Sequence, residues 1–140
     1  MSITFSQEEM CYITLAEDFT KAPLMDCIDL DDRVTYIVEK GKLGKAIGKS
    51  ARNIKQLEKM LKKEVKFVEY DTDIKQFVIN LFKPYKLEEV VVMEGEDGLS
   101  INVTTTQKDK GKAIGKSGRN INILREIAKR HHDILSLKVL

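Results

Sequence analysis

One heptapeptide, Gly-Lys-Ala-Ile-Gly-Lys-Ser, occupies residues 44–50 and again residues 111–117. The identity runs on as GKAIGKSARNI against GKAIGKSGRNI, eleven positions with one difference, Ala51 opposite Gly118. A repeat this close, offset by 67 residues in a chain of 140, constrains the fold more than any other feature. Whatever order of elements surrounds the first copy should surround the second. The seam falls near residues 70–72 with almost no linker, which gives domains over residues 1–70 and 71–140. Units this small are marginal alone, so they are expected to pack together as one rigid body.

Matching elements do flank the two copies. In the first half, Ser6 followed by Glu9 is a capping-box signature. Tyr12, Leu15, Ala16 and Phe19 then fall at i, i+3, i+4 and i+7, which predicts a helix ahead of Pro23. LMDCIDLDD and RVTYIVEKG are expected as strands around an Asp31-Asp32 turn. In the second half, Ile74, Phe77, Val78 and Leu81 give the same helical spacing, and Pro84 ends it. EEVVVMEGE and LSINVTTT follow as strands, with Asp97-Gly98 as a hairpin signal. After each motif a second helix is expected, its core stripe Ile54, Leu57, Met60 and Leu61 in one copy and Ile121, Leu124, Ile127 and Ala128 in the other. EVKFVEY and DILSLKVL close the units as strands. The order is helix, strand, strand, short helix, glycine turn, helix, strand, twice over. Ile47, Ile54, Ile114 and Ile121 are expected as packing residues, and Gly44 and Gly111 as positions that ease close packing or helix entry.

Charge gathers on the motif. Net charge is only +2. Yet residues 1–33 carry eight acids, among them Glu8, Glu9, Asp26 and Asp29, against Lys21 and Arg33. The first motif is surrounded by ten cations, Lys45, Lys49, Arg52, Lys55 and Lys59 among them, against Glu39, Glu58 and Glu64. The second carries Lys108, Lys110, Lys112, Lys116, Arg119, Arg125, Lys129 and Arg130 against Asp109 and Glu126. Positive charge concentrated on both copies is the footprint of a polyanion site.

Several chemistries are disfavoured. Cys11 and Cys27 lack the spacing of a zinc or redox pair, and His131-His132 lacks further ligands, so no metal and no cofactor is expected. Free buried thiols fit a cytoplasmic protein. The N-terminal stretch lacks a signal-peptide pattern, and no apolar run is long enough to cross a membrane. Gly-Lys-Ser suggests a nucleotide-binding P-loop, but that motif needs four residues between its glycines. Gly44 to Gly48 and Gly111 to Gly115 leave three. Leu43 and Lys110 stand where its first glycine belongs. No enzyme is expected.

The flanks of the second glycine are more telling: IGKSARNI in one copy and IGKSGRNI in the other. Here the chain resembles the K-homology (KH) family of RNA-binding domains, whose hallmark is I-G-x-x-G-x-x-I in a turn between two helices. The second copy fits fully and the first departs at Ala51. The order of elements resembles the type II arrangement. The resemblance implies an α+β fold of two tandem type II KH domains, each helix-strand-strand-helix-helix-strand with a three-stranded sheet. Two such units fused directly look like the short archaeal form of the NusA transcription factors, and the likeness covers essentially the whole chain.

The resemblance implies single-stranded RNA as partner, held by Gly48, Lys49, Ser50, Ala51 and Arg52 in one loop and Gly115, Lys116, Ser117, Gly118 and Arg119 in the other, with Lys45 and Lys112 beside them. Small residues let a sugar-phosphate backbone approach, and a helix N-terminus attracts phosphate. In that family the loop clamps about four nucleotides. Asn53 and Asn120 are read either as RNA contacts or as local helix contacts. Tyr36, Tyr70, Phe77 and Tyr85 are expected as core or seam residues. A role in transcription elongation or termination, with RNA polymerase as a further partner, follows from the same resemblance, and a monomer is expected. The rivals are DNA binding, single-stranded or by a helix-turn-helix, and a polymerase or ribonucleoprotein interaction module.

Overall fold

The computed structural model describes residues 7–30 and 32–140. Two compact units divide it, one ending at Asp71 and one beginning at Thr72. The first runs α1 (Gln7–Thr20), β1 (Leu24–Leu30), β2 (Arg33–Val38), α2 (Leu43–Ile47), α3 (Arg52–Leu61), β3 (Glu64–Glu69). The second runs α4 (Ile74–Phe82), β4 (Leu87–Gly95), β5 (Gly98–Thr105), α5 (Gln107–Ile114), α6 (Arg119–His132), β6 (Ile134–Val139). The order is the expected one in both. Ser6 of the capping box and Asp31 of the first turn lie outside the described residues. Asp73 caps α4 instead of a capping box, its side chain accepting from the Lys75 amide at 3.3 Å.

Each unit has a three-stranded sheet, β1-β2-β3 or β4-β5-β6. The first two strands pair antiparallel, and the last joins its neighbour in parallel. That parallel pair positions the motif. Antiparallel neighbours are joined by a tight turn, whereas parallel neighbours need a crossover of a dozen or more residues. The crossover here is the pair of helices with the glycine turn at its tip. Both first strands carry an irregularity at the same place, between Leu24 and Asp26 and between Leu87 and Glu89. The duplication therefore extends to backbone detail.

In the first unit Val34, Tyr36 and Val38 of β2 join Cys27, Val65 and Phe67 against Ala16, Ala46 and Leu57 from the three helices. The Tyr36 ring stacks on Phe67 with centroids 5.2 Å apart, and its hydroxyl donates to the Tyr12 carbonyl at 3.0 Å. Burial, and Cys27 next in order, push the Tyr36 phenol well above its usual range, so it stays a neutral donor. Thr35 and Ile37, on the other face of β2, are equally buried.

Three expectations need correction. Met60 is 51% exposed, although the stripe placed it in the core. α3 ends one residue later, whereas α6 runs to His132 and buries Ile127 at the corresponding position. The second hairpin turns on Glu96 and Asp97, with Gly95 opposite Gly98, so the Asp97-Gly98 pair straddles the end of the turn. Gly98 is needed for another reason: at φ +140° a Cβ would come within 2.9 Å of Leu135. Finally, a Cβ on Gly44 or Gly111 would meet nothing within 4 Å, so close packing inside the fold does not account for these glycines.

Candidate nucleic-acid interface

α2 has five residues, too few to be stable alone. Its last carbonyls have no partner within the helix. Asn53, from the first turn of α3, supplies one: its Nδ2 donates to the carbonyls of Lys45 at 3.2 Å and Ala46 at 3.1 Å. In the second unit Asn120 Nδ2 donates to the Ala113 carbonyl at 2.6 Å. Both asparagines are thus local staples that fix the angle between the helices, and Asn120 is buried.

The staple dictates the first glycine of each loop. Gly48 (φ 77°) and Gly115 (φ 80°) are left-handed. A Cβ on Gly48 would lie 2.9 Å from the Asn53 side-chain nitrogen, and one on Gly115 would lie 2.8 Å from the Asn120 backbone nitrogen. Two more left-handed residues follow: Ser50 and Ala51 at φ 57° and 59°, Ser117 and Gly118 at φ 55° and 75°. The Ala51 amide donates to the Gly48 carbonyl at 3.2 Å, and the Gly118 amide to the Gly115 carbonyl at 3.1 Å. The two loops have one conformation. In it an L-residue at position 51 is strained by about 1–2 kcal/mol, a strain that glycine at 118 avoids.

The turn gathers the expected residues within each unit. Lys45, Lys49, Ser50 and Arg52 are exposed around one loop, with Gly48 and Ala51 half-buried in its backbone. Lys112, Lys116, Ser117 and Arg119 are exposed around the other, with Gly115 and Gly118 half-buried. α3 and α6 start without a side-chain cap and with no acid in the first turn. Uncapped first-turn amides and adjacent cations make each start electropositive. A depression of about 440 Å³ lined by Lys49, Ser50, Arg52, Lys55 and Gln56 borders the first loop. The loops join helix to helix, whereas a P-loop joins strand to helix.

The second unit also has a groove that the motif does not announce. It holds about 270 Å³ between α6 and β6, lined by Asn122, Arg125, Glu126, Lys129 and the strand residues 134–138. Arg125 Nε donates to the Leu137 carbonyl at 3.0 Å, and its Nη1 to Asn122 Oδ1 at 3.2 Å. Leu135 is 56% exposed there. The signal available in the sequence was spacing: 122, 125, 126 and 129 form the polar stripe of α6. Nothing local says that this stripe borders a strand edge.

Tyr36 and Phe77 are buried, whereas Tyr70 and Tyr85 are half-buried; the Phe77 ring lies 5.9 Å from His131 and 5.0 Å from His132. Cys27 is buried and forms no disulfide; the Cys11 side chain lies outside the described residues. Among the described residues no cluster of three metal-ligating side chains occurs, and no helix is long and apolar enough to cross a membrane.

The KH-domain pattern matches residues 11–92, and the pattern of the NusA-like second KH domain matches residues 74–139. A probable transcription termination protein NusA of Methanocaldococcus jannaschii is 33% identical over 99% of this chain and 75% of its own length. One from Halobacterium salinarum is 37% identical over 96% of both chains. The chain belongs to the NusA-like family of KH-domain proteins. The crystal structure of APE1850 has the same fold, with a TM-score of 0.79 at 31% identity over 97% of this chain and all of that one. As a NusA-like KH protein, the chain has a type II order in each unit, and each unit carries one glycine turn between its helices, the first with alanine at its last position.

Proposed function

We propose that this chain binds single-stranded RNA without catalysis, and that it acts as a transcription elongation or termination factor of the NusA type. Two KH units support the first part, and archaeal relatives named as termination proteins over nearly the whole chain support the second. The single observation that carries the binding reading is the repeated turn. One left-handed backbone geometry occurs twice, each time ringed by exposed Lys, Ser and Arg at an uncapped helix start. In this reading residues 48–52 and 115–119, with Lys45 and Lys112, grip consecutive phosphates. The bases turn toward the neighbouring helix and strand. RNA polymerase is the second partner that the proposed role requires. Duplex recognition by a helix-turn-helix is disfavoured because each helix pair lies on a crossover between parallel strands and its first helix is short. The test is to compare affinities for single-stranded RNA, single-stranded DNA and duplex at fixed salt. Tightest binding to the duplex would overturn the proposal. Sequencing RNA crosslinked to the protein in cells would then test the transcriptional role.

A further inference from the structure

β1 and β4 each form one edge of their sheet, with a single antiparallel neighbour. In a strand, the N–H and C=O of one residue point to the same side, and successive residues alternate. The Val38 and Val103 carbonyls accept from the Tyr70 and Leu140 amides, so these two residues of β2 and β5 face β3 and β6. The pairing then turns the backbone groups of Cys27 and Asp29 outward from β1, and those of Val90, Val92 and Glu94 outward from β4. Asp29 and Val92 correspond, since they pair with Val34 and Ile101, which lie 67 residues apart. Cys27 and Val90 correspond in the same way.

The first edge is closed by carboxylates. The Cys27 amide donates to Asp26 Oδ1 at 2.7 Å, and the Asp29 amide to Glu9 Oε2 at 3.4 Å. Among the described residues no side chain caps the amides of Val90, Val92 or Glu94. Helix length explains the difference at Val92. The irregularities of β1 and β4 lie 63 residues apart, which puts Thr72 where Glu9 stands in α1, and α4 begins only at Ile74. The second hairpin also runs two pairs further than the first, ending at Glu94–Leu99 and Gly95–Gly98. β4 is thus a long edge with open backbone groups, the kind of surface to which another strand adds.

Its side chains select what adds. Val91 and Met93 are 38% and 42% exposed, whereas Ile28, at the position of Val91 in the first sheet, is 2% exposed. Glu88, Glu89, Glu94, Glu96 and Asp97 are exposed along the same hairpin, and no cation occurs between Lys86 and Lys108. Five acids repel the phosphates of RNA, and equally a second copy of the same hairpin. They complement a cationic strand. We propose that β4 is a docking edge for an extended basic segment of a partner protein, which adds to the second sheet as a fourth strand. Its backbone pairs with Val90, Val92 and Glu94, its apolar side chains meet Val91 and Met93, and its Lys or Arg side chains meet the carboxylates. β5 separates this edge from β6, so the docking edge is apart from the groove along α6.

The experiment uses the full chain and two heptapeptides. Lys-Lys-Val-Thr-Val-Thr-Lys carries lysines opposite residues 88, 89 and 94 and β-branched residues opposite 90–93; its counterpart has Glu for each Lys. Binding and amide hydrogen exchange are followed residue by residue. The lysine peptide should slow exchange at Val90, Val92 and Glu94, and at low salt it should bind about tenfold tighter than the glutamate peptide. Val92→Pro removes one outward donor and no ladder bond, so it should weaken the lysine peptide about fivefold. Glu88→Lys, Glu89→Lys and Glu94→Lys together should invert the preference between the peptides. Lysine-peptide binding that is absent, no tighter than that of the glutamate peptide, unchanged by Val92→Pro, or unaccompanied by slowed exchange at those three amides would overturn the inference. So would protection of the same amides by single-stranded RNA.

Discussion

The two glycine turns have the same backbone and different sequences. At the last loop position φ is 59° in one and 75° in the other, but the residue is Ala51 in the first and Gly118 in the second. Beyond the loop, the helix wall presents Lys55, Glu58, Lys59 and Lys62 in the first unit and Asn122, Arg125, Glu126 and Lys129 in the second. Motif identity thus fixes the shape of a turn without fixing its strain or its surroundings. If the loops hold phosphate, the second should hold it more closely: the Ala51 methyl adds bulk where a backbone must approach, and the turn that carries it is strained.

The largest expected effect tests the shared geometry. Gly115→Ala places a Cβ against the Asn120 backbone, which has no room to move, at a left-handed φ. A loss of about 3 kcal/mol in unfolding free energy is expected. Gly48→Ala meets the movable Asn53 side chain and should cost about 1 kcal/mol less. Denaturant unfolding that ranks them the other way would mean that the first loop is the more rigid of the two.

A smaller effect tests the ranking of the loops directly. Lys116→Asp with Ser117→Asp should weaken single-stranded RNA binding about thirtyfold, and Lys49→Asp with Ser50→Asp about tenfold, since each reverses a charge at the proposed phosphate contact. Both variants should stay folded because these side chains are exposed. Equal losses, or a larger loss from the first loop, would show that Ala51 is harmless.

The smallest effect isolates the alanine. Ala51→Gly should stabilise the chain by about 1 kcal/mol and Gly118→Ala should destabilise it by a similar amount, because a Cβ at 118 meets only ordinary contacts and the cost is conformational. Thermal melts of the two exchanges should move in opposite directions. If Ala51→Gly also narrows the difference between the two Asp variants, strain and phosphate grip are linked.

The order of elements was legible because the repeat supplied a ruler: each helix stripe and strand pattern in one half could be checked against the other. The loop residues were legible because glycine, lysine and serine recur there with fixed spacing. What was not legible depends on direction rather than type. The roles of Asn53 and Asn120 were open because a side chain one turn into a helix faces either its neighbour helix or solvent, and only the crossing angle decides. Met60 was misplaced because periodicity says which face a residue is on but not where the helix stops. That Glu58 accepts from the Val65 amide and Arg125 donates to the Leu137 carbonyl carried no signal at all, since it rests on which edge-strand residue points outward.

Both loops are proposed to grip the phosphates of a single strand. Binding of a single-stranded RNA should be measured across a range of salt for the wild-type chain and for the variant with Asp at residues 49, 50, 116 and 117. For the wild type, log affinity should fall linearly with log salt, with a slope of roughly −0.7 per phosphate neutralised. The variant should lose at least a hundredfold at low salt, on the order of 2.7 kcal/mol, and its slope should flatten by about 0.7 for each contact removed. Equal affinity and equal slope in the two proteins would show that the loops do not grip phosphate.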